Sequence, residues 1–359
     1  MQKNFPYRWL AVVALLLSVA AAPALRAAPA AAAGNAGEIW GAGYFPDLPL
    51  VSHEGKTLRF FSDLIKDKVV AINFIYTSCP DTCALETARL REVQKILGDR
   101  VGRDVFIYSI SIDPEHDTPA VLKRYADKFE VGPGWLFLTG KESDITLIRK
   151  KFGLYSDAPE GEKLTEHNLN HIIGNQKTGQ WIKSSPFENP YIFAGQLGSW
   201  LHNWKLPPEK GRDYAEAPKV RNISKGEGLY RTRCSACHTI GAPQAAGEKR
   251  IGPDLTGVTK KRDRAWLTRW LAEPDKMIAE KDPLALALLA AYSDIPMPNL
   301  RLSAVEIEAL LIHIEEESHR VEHHDHSKHQ KHGGHGGNEG HKGHKGHEGH
   351  EGHDGKVGH

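Results

Sequence analysis

The run Val69–Tyr76 is apolar at almost every position and passes into a polar turn carrying Cys79, with Cys83 four residues further on. A nearly continuous apolar run of this length belongs to a strand covered on both faces, which places it inside a sheet flanked by helices. Ala84–Leu90 has the character of a helix, so the two cysteines bracket a strand-to-helix junction, where α/β folds set their functional groups. Residues i and i+4 share a helix face, so both sulfurs can point the same way. A helix N-terminus favours the thiolate, the form that binds a metal or attacks a disulfide. The pair is therefore read as a soft-metal chelate or a redox dithiol, with a structural disulfide as the plainer alternative.

The surrounding pattern extends the sheet. Phe60–Asp67 is expected to be a short helix and Cys83 to fall within a helix over Thr82–Leu97, while Val105–Ile112 is a second buried strand. Pro119–Phe129 follows as a helix with Pro119 in its first turn, then a strand at Trp135–Leu138 and a helix at Glu142–Phe152. Alternation of this kind predicts an α/β domain with a central, mostly parallel sheet. Asp113 falls, like the cysteine turn, at a strand's C-terminal end. Glu166–Asn175 is a strand entry leading to a turn at Lys177–Gly179.

The other two of the four cysteines form a second close pair, Cys234-Ser235-Ala236-Cys237-His238. This is the signature of covalent c-type haem attachment: two thiols reach the two vinyl groups of one porphyrin and the adjacent imidazole reaches the iron. Beyond Met1, the chain offers Met277 and Met297 as second axial ligands. Met297 lies in a Pro296-Met297-Pro298 loop ahead of a helix over Ala304–Glu316, whereas Met277 has a helix-surface context that suits packing. His/Met ligation raises the potential and suits electron transfer. No second ligand pair accompanies the motif as a zinc site would require.

Asn73–Leu85 resembles the copper-binding motif of the Sco (SenC) family, and Ser109–Pro119 is similar to that family's next strand and helix start. These are thioredoxin-fold proteins that help assemble the binuclear copper site of cytochrome c oxidase. The resemblance implies a thioredoxin-like domain over residues 38–204 and copper held by Cys79, Cys83 and a histidine that precedes a strand. Glu166-His167 fits that pattern, with His171 the alternative. The haem segment resembles a class I cytochrome c, which implies a small all-α domain over residues 221–318. One haem c would be attached through Cys234 and Cys237, with His238 and Met297 as axial ligands.

Lys3 and Arg8 precede an apolar run from Trp9 to Ala22 and then Ala27, Ala28 and Ala30, the pattern of a secretory signal over residues 1–33. Export to the periplasm follows, with the segment either cleaved or kept as an N-terminal anchor associating with the membrane. With 46 basic and 45 acidic side chains, nothing points to nucleic acid. Residues 205–220, with Pro207-Pro208, read as a linker. Residues 319–359 are almost entirely His, Gly, Lys, Glu and Asp, which predicts a disordered tail that captures copper, nickel or zinc.

Together these features predict a copper chaperone for cytochrome c oxidase with a haem domain that moves electrons to or from the copper/thiol site. The expected partners are an oxidase subunit or another copper-receiving protein, and a redox partner of the respiratory chain. Two alternatives remain open: a thiol-disulfide oxidoreductase keeping oxidase cysteines reduced, and a plain electron-transfer cytochrome with a docking domain.

Overall fold

The computed structural model describes residues 39–155, 163–202, 222–242 and 250–329. The expected signal segment, the linker over 205–220 and the chain beyond 329 lie outside the described residues. The chain divides into two compact units, the first of residues 1–79 and 86–217 and the second of residues 80–85 and 218–359.

The first unit is built on seven strands: β1 (Pro49–Ser52), β2 (Thr57–Arg59), β3 (Val69–Ile75), β4 (Val105–Ser111), β5 (Trp135–Gly140), β6 (His171–Asn175) and β7 (Gln180–Ser184). They form one sheet in the order β2-β1-β5-β4-β3-β6-β7. Helices α1 (Cys83–Leu97), α2 (Pro119–Lys128), α3 (Glu142–Lys151) and α4 (Pro190–Gly198) flank it. Every residue of β3 is buried, as its apolar run requires. It pairs in parallel with β4 from Val69↔Val105 to Ile75↔Ser111, and β4 pairs in parallel with β5.

The expectation of a mostly parallel sheet needs correction. Parallel pairing is confined to β3, β4 and β5, and the other four pairings, β1–β2, β1–β5, β3–β6 and β6–β7, are antiparallel. The reason is connection length. For the two hairpins, His53–Lys56 and Gln176–Gly179 are tight turns that return the chain alongside itself, whereas α1 and α2 carry the crossovers between the parallel strands β3, β4 and β5.

The centre of the sheet carries one buried polar chain. Ser109 Oγ donates to Asn73 Oδ1 at 2.7 Å and accepts from Trp135 Nε1 at 3.0 Å, linking three strands. On the other side of β3, Gly174 stands opposite Trp181, and a Cβ there would lie 2.2 Å from the indole. That bare backbone lets Trp181 lie across β6 and meet Phe45 and Phe152. Thr118 caps α2, its side chain accepting from the Val121 N–H, and Pro119 occupies the first turn.

The second unit is helical. α5 (Lys225–Leu229) runs on through a wider turn at Tyr230–Cys234, followed by α6 (Val258–Lys261), α7 (Arg264–Ala272), α8 (Pro274–Ala279), α9 (Pro283–Ala291) and α10 (Ala304–His329). Side chains of Ser224, Asp263 and Asp282 cap α5, α7 and α9. Leu229, Leu267, Ile307, Leu310, Leu311 and Ile314 form the core between the helices. Met277, read as a packing residue from its helical context, is buried with Trp270 and Ala285.

A second correction concerns the tail: α10 continues to His329, past the expected start of disorder at His319. Contacts to the helical unit hold it. Gly257 N–H donates to the buried Ser318 Oγ at 3.0 Å, Lys260 pairs with Glu322 at 2.9 Å, and the Val321 side chain fills the space where a side chain on Gly241 would stand. Composition predicts disorder only where nothing packs, and here one helix face packs.

Candidate functional sites

β3 delivers Tyr76 and the cysteine turn at its C-terminal end. The Cys79 N–H donates to the Tyr76 carbonyl at 3.2 Å, which bends the chain so that Cys83 opens α1. Cys79 and Cys83 are both buried. The turn is braced from the neighbouring strand end by Asp117, itself 1% exposed. Its carboxylate accepts from the Thr77 N–H at 3.0 Å, from the Thr77 hydroxyl, and from Ser111 Oγ at 2.6 Å. Sequence reasoning singled out Asp113 at this strand end and passed over Asp117; the signal for it was the acid directly before the Thr118-Pro119 helix start. Asp113 instead bonds the exposed His116 ring at 2.8 Å.

Leaving buried donors without an acceptor costs about 1–3 kcal/mol each. Asp117→Ala should therefore lower the unit's unfolding free energy by about 2–4 kcal/mol. The Thr77 amide should also lose its protection from hydrogen exchange, which mass spectrometry reads directly. Unchanged exchange at Thr77 would show that Asp117 does not brace the turn.

The two candidate histidines have different surroundings. His167 follows a short helical turn, Leu164–Glu166, and is 6% exposed. Its Nδ1 lies 2.6 Å from the Leu164 carbonyl, which requires Nδ1 to carry the proton and leaves Nε2 with its lone pair. That Nε2 is buried without a hydrogen-bond partner. The ring stands edge-on to Tyr76 at 5.8 Å, which ties it to the residue that begins the cysteine turn. His171 opens β6 and turns its Nε2 toward Glu86 of α1 at 3.5 Å, with both side chains buried and Phe193 edge-on to the ring. Among the described residues, no three His, Cys, Asp or Glu side chains are gathered as a metal-binding group. Cys79 and His167 thus flank Tyr76 without closing into a cluster with Cys83.

In the helical unit, Cys234, His238 and Met297 line one apolar cleft of about 200 Å³, walled by residues such as Trp266, Leu271 and Leu310. The apolar, aromatic lining suits a flat hydrophobic group. His238 Nδ1 donates to the Pro253 carbonyl at 2.9 Å, leaving Nε2 as the ligating atom. Loss of surrounding water pushes the imidazole pKa below its ordinary value, which keeps the ring in its neutral, metal-binding form. The backbone comes close here: a Cβ on Gly252 would lie 2.6 Å from the ring.

Asp254 fastens this loop. Burial alone would raise its pKa, but hydrogen bonds from Thr239 Oγ1 at 2.6 Å and the Thr256 N–H at 2.9 Å hold it below the usual carboxylate range. Tyr230 completes the frame, its hydroxyl donating to the His238 carbonyl at 2.9 Å. The donor set fits a haem c: the Cys234 thiol, one oriented imidazole and the Met297 thioether line the apolar cleft, and Cys237 directly precedes His238 in the chain. When bound, that group supplies one-electron transfer, and the residues here orient His238 and exclude water.

The family model for SCO1/SenC matches residues 44–195, and that for cytochrome c matches residues 223–316. The SCO1 protein homolog of Bacillus subtilis is 31% identical over 146 residues, 38% of this chain and 74% of that protein. The chain belongs to the SCO1/SenC family. Its Sco region is also 34% identical over 116 residues to an SCO2-like protein of Rickettsia felis, covering 32% of this chain and 54% of that one. The chain thus spans about half the length of the first curated relatives it matches. Among solved structures, the SCO1/SenC family lipoprotein of Bacillus anthracis is 25% identical over 44% of this chain and 94% of that one, with a TM-score of 0.38. The cytochrome c domain of a Pseudomonas putida protein is 52% identical over 27% of this chain and 91% of that one, with a TM-score of 0.25. A Sco region followed by a cytochrome c domain is therefore the organisation of this chain. Among the described residues of this Sco protein, no helix is long and apolar enough to cross a membrane.

Proposed function

We propose that this Sco protein is an exported copper chaperone for the copper site of cytochrome c oxidase. Copper is its cargo, held by the Cys79 and Cys83 thiolates and His167 Nε2, with Cu(I) favoured by the soft sulfurs. The observation that carries this assignment is the buried His167 Nε2, whose lone pair has no hydrogen-bond partner while Nδ1 is committed to Leu164. A buried polar atom in that condition costs about 1–3 kcal/mol, which a bound ion offsets. His171 also has both ring nitrogens buried without a hydrogen-bond partner, and what sets it apart is the Glu86 carboxylate 3.5 Å from its Nε2, whereas His167 has one nitrogen committed to Leu164 and the other left with its lone pair.

The haem of the second unit, held by Cys234, Cys237, His238 and Met297, would exchange single electrons with the copper or thiol site. The histidines of the tail would gather copper, nickel or zinc, fading below the ordinary imidazole pKa of about 6.5. An oxidase subunit would receive the copper, and a respiratory-chain protein would exchange the electrons.

The test is anaerobic Cu(I) titration of the full chain against a competing chelator, beside a Cys79→Ser, Cys83→Ser double variant. One tight copper in the parent that disappears in the variant is the expected result. Tight copper surviving in the variant rejects the thiolate site. No tight copper in the parent, with a reversible Cys79–Cys83 disulfide, makes the chain a thiol-disulfide oxidoreductase instead.

A further inference from the structure

α10 carries two exposed imidazoles one turn apart, His319 and His323. Their ring centroids are 4.1 Å apart and the two Nε2 atoms only 2.9 Å. At that separation the pair shares one proton, with one nitrogen donating and the other accepting. A metal ion in place of that proton would meet both lone pairs once the proton leaves to solvent or to Nδ1.

We propose that His319 and His323 form a two-imidazole site for one divalent first-row transition-metal ion. The proposal rests on the metal-capturing role given above to the tail, and it deepens that role by placing the first site on the folded helix.

The geometry selects among ions. With metal–nitrogen bonds of about 2.0–2.1 Å, two nitrogens 2.9 Å apart subtend an angle near 90° at the metal. That is the cis angle of tetragonal Cu(II) or Ni(II) and is narrower than the tetrahedral angle Zn(II) prefers, so the order is Cu(II), then Ni(II), then Zn(II). Water supplies the remaining positions on this exposed face.

The pair is also held in place before metal arrives. Ser318, one residue before His319, is buried and accepts from the Gly257 N–H while donating to the Ile314 carbonyl at 2.6 Å. Glu322, one residue before His323, is pinned by Lys260. The helix turn bearing both rings is therefore docked. With the turn docked, the second imidazole of the pair acts at the high effective concentration of a rigid chelate.

The test uses the full haem-loaded chain with Cys79→Ser and Cys83→Ser, so that thiols do not compete. Histidines are labelled with diethyl pyrocarbonate after adding one equivalent of Cu(II), and labelling is mapped by peptide mass spectrometry. The expected result is that His319 and His323 lose most of their labelling while the histidines of residues 335–359 keep theirs. Adding His319→Ala should then raise the Cu(II) concentration that half-protects His323 by about tenfold or more. Circular dichroism should be unchanged, since both side chains are exposed.

Protection confined to residues 335–359 overturns the helical site and leaves the tail's role standing. No protection at any histidine overturns both.

Discussion

Gly226→Val should strongly destabilise the cytochrome c unit, whereas Gly228→Ala, two residues away on the same helix, should leave it intact or firmer. Gly226 is buried where α5 crosses α10, and a Cβ there would lie 2.0 Å from the Ala309 carbonyl oxygen and 2.8 Å from His313 Cβ. The obstacle is backbone, which cannot rotate aside as a side chain can. Overpacking of a core costs about 1–3 kcal/mol when neighbours can shift, and more where they cannot. A loss of 3 kcal/mol or more is roughly a third of a typical domain's stability. Gly228 has open space around the same position, so alanine there should contribute about 0.5–1 kcal/mol of helix propensity. Denaturant unfolding followed at the haem Soret band and by tryptophan fluorescence checks both. Equal stability of the two variants would show that the α5–α10 crossing does not hold the unit together.

The second large effect separates the two histidines. His167→Ala should weaken Cu(I) binding by roughly 100-fold, at the upper end of what even outer-shell partners of a metal site contribute, while leaving the haem spectrum unchanged. His171→Ala should do the reverse of this on the Sco unit. It removes a buried ring that meets Glu86 at 3.5 Å and Phe193 edge-on, so stability should fall by about 2–4 kcal/mol with copper affinity within a few-fold of the parent. Chelator competition and thermal unfolding on both variants read the two effects separately. Retained affinity in His167→Ala, with loss in a folded His171→Ala, would exchange their roles.

How far the sequence alone reaches is clear from particular residues. The apolar run of β3 allows only a buried central strand, so the position of Cys79 at its C-terminal end was legible from local pattern. The five residues Cys234–His238 likewise state their chemistry through spacing. What local pattern does not encode is which distant strand a hairpin joins. The antiparallel partners β5 for β1 and β3 for β6 lie far along the chain, and the parallel expectation failed there.

His167 and His171 look alike as letters four residues apart. They differ in what each ring nitrogen touches, Leu164 in one case and Glu86 in the other, and those contacts exist only in the folded unit. The extension of α10 was missed for a similar reason. Its Ser318, Val321 and Glu322 read as the start of a polar tail until Gly257, Gly241 and Lys260 are brought beside them. Asp117 escaped because its partners Thr77 and Ser111 belong to two different strand ends.

Copper-edge X-ray absorption on the full chain loaded with one equivalent of Cu(I) tests the central claim most directly, because it reports the atoms bound to the metal. Two sulfur scatterers and one imidazole nitrogen are expected, with the sulfur shell lost in the Cys79→Ser, Cys83→Ser double variant and the imidazole shell lost in His167→Ala. A first shell of nitrogen and oxygen alone, unchanged in the double variant, would place the copper elsewhere and contradict a chaperone site at Cys79 and Cys83.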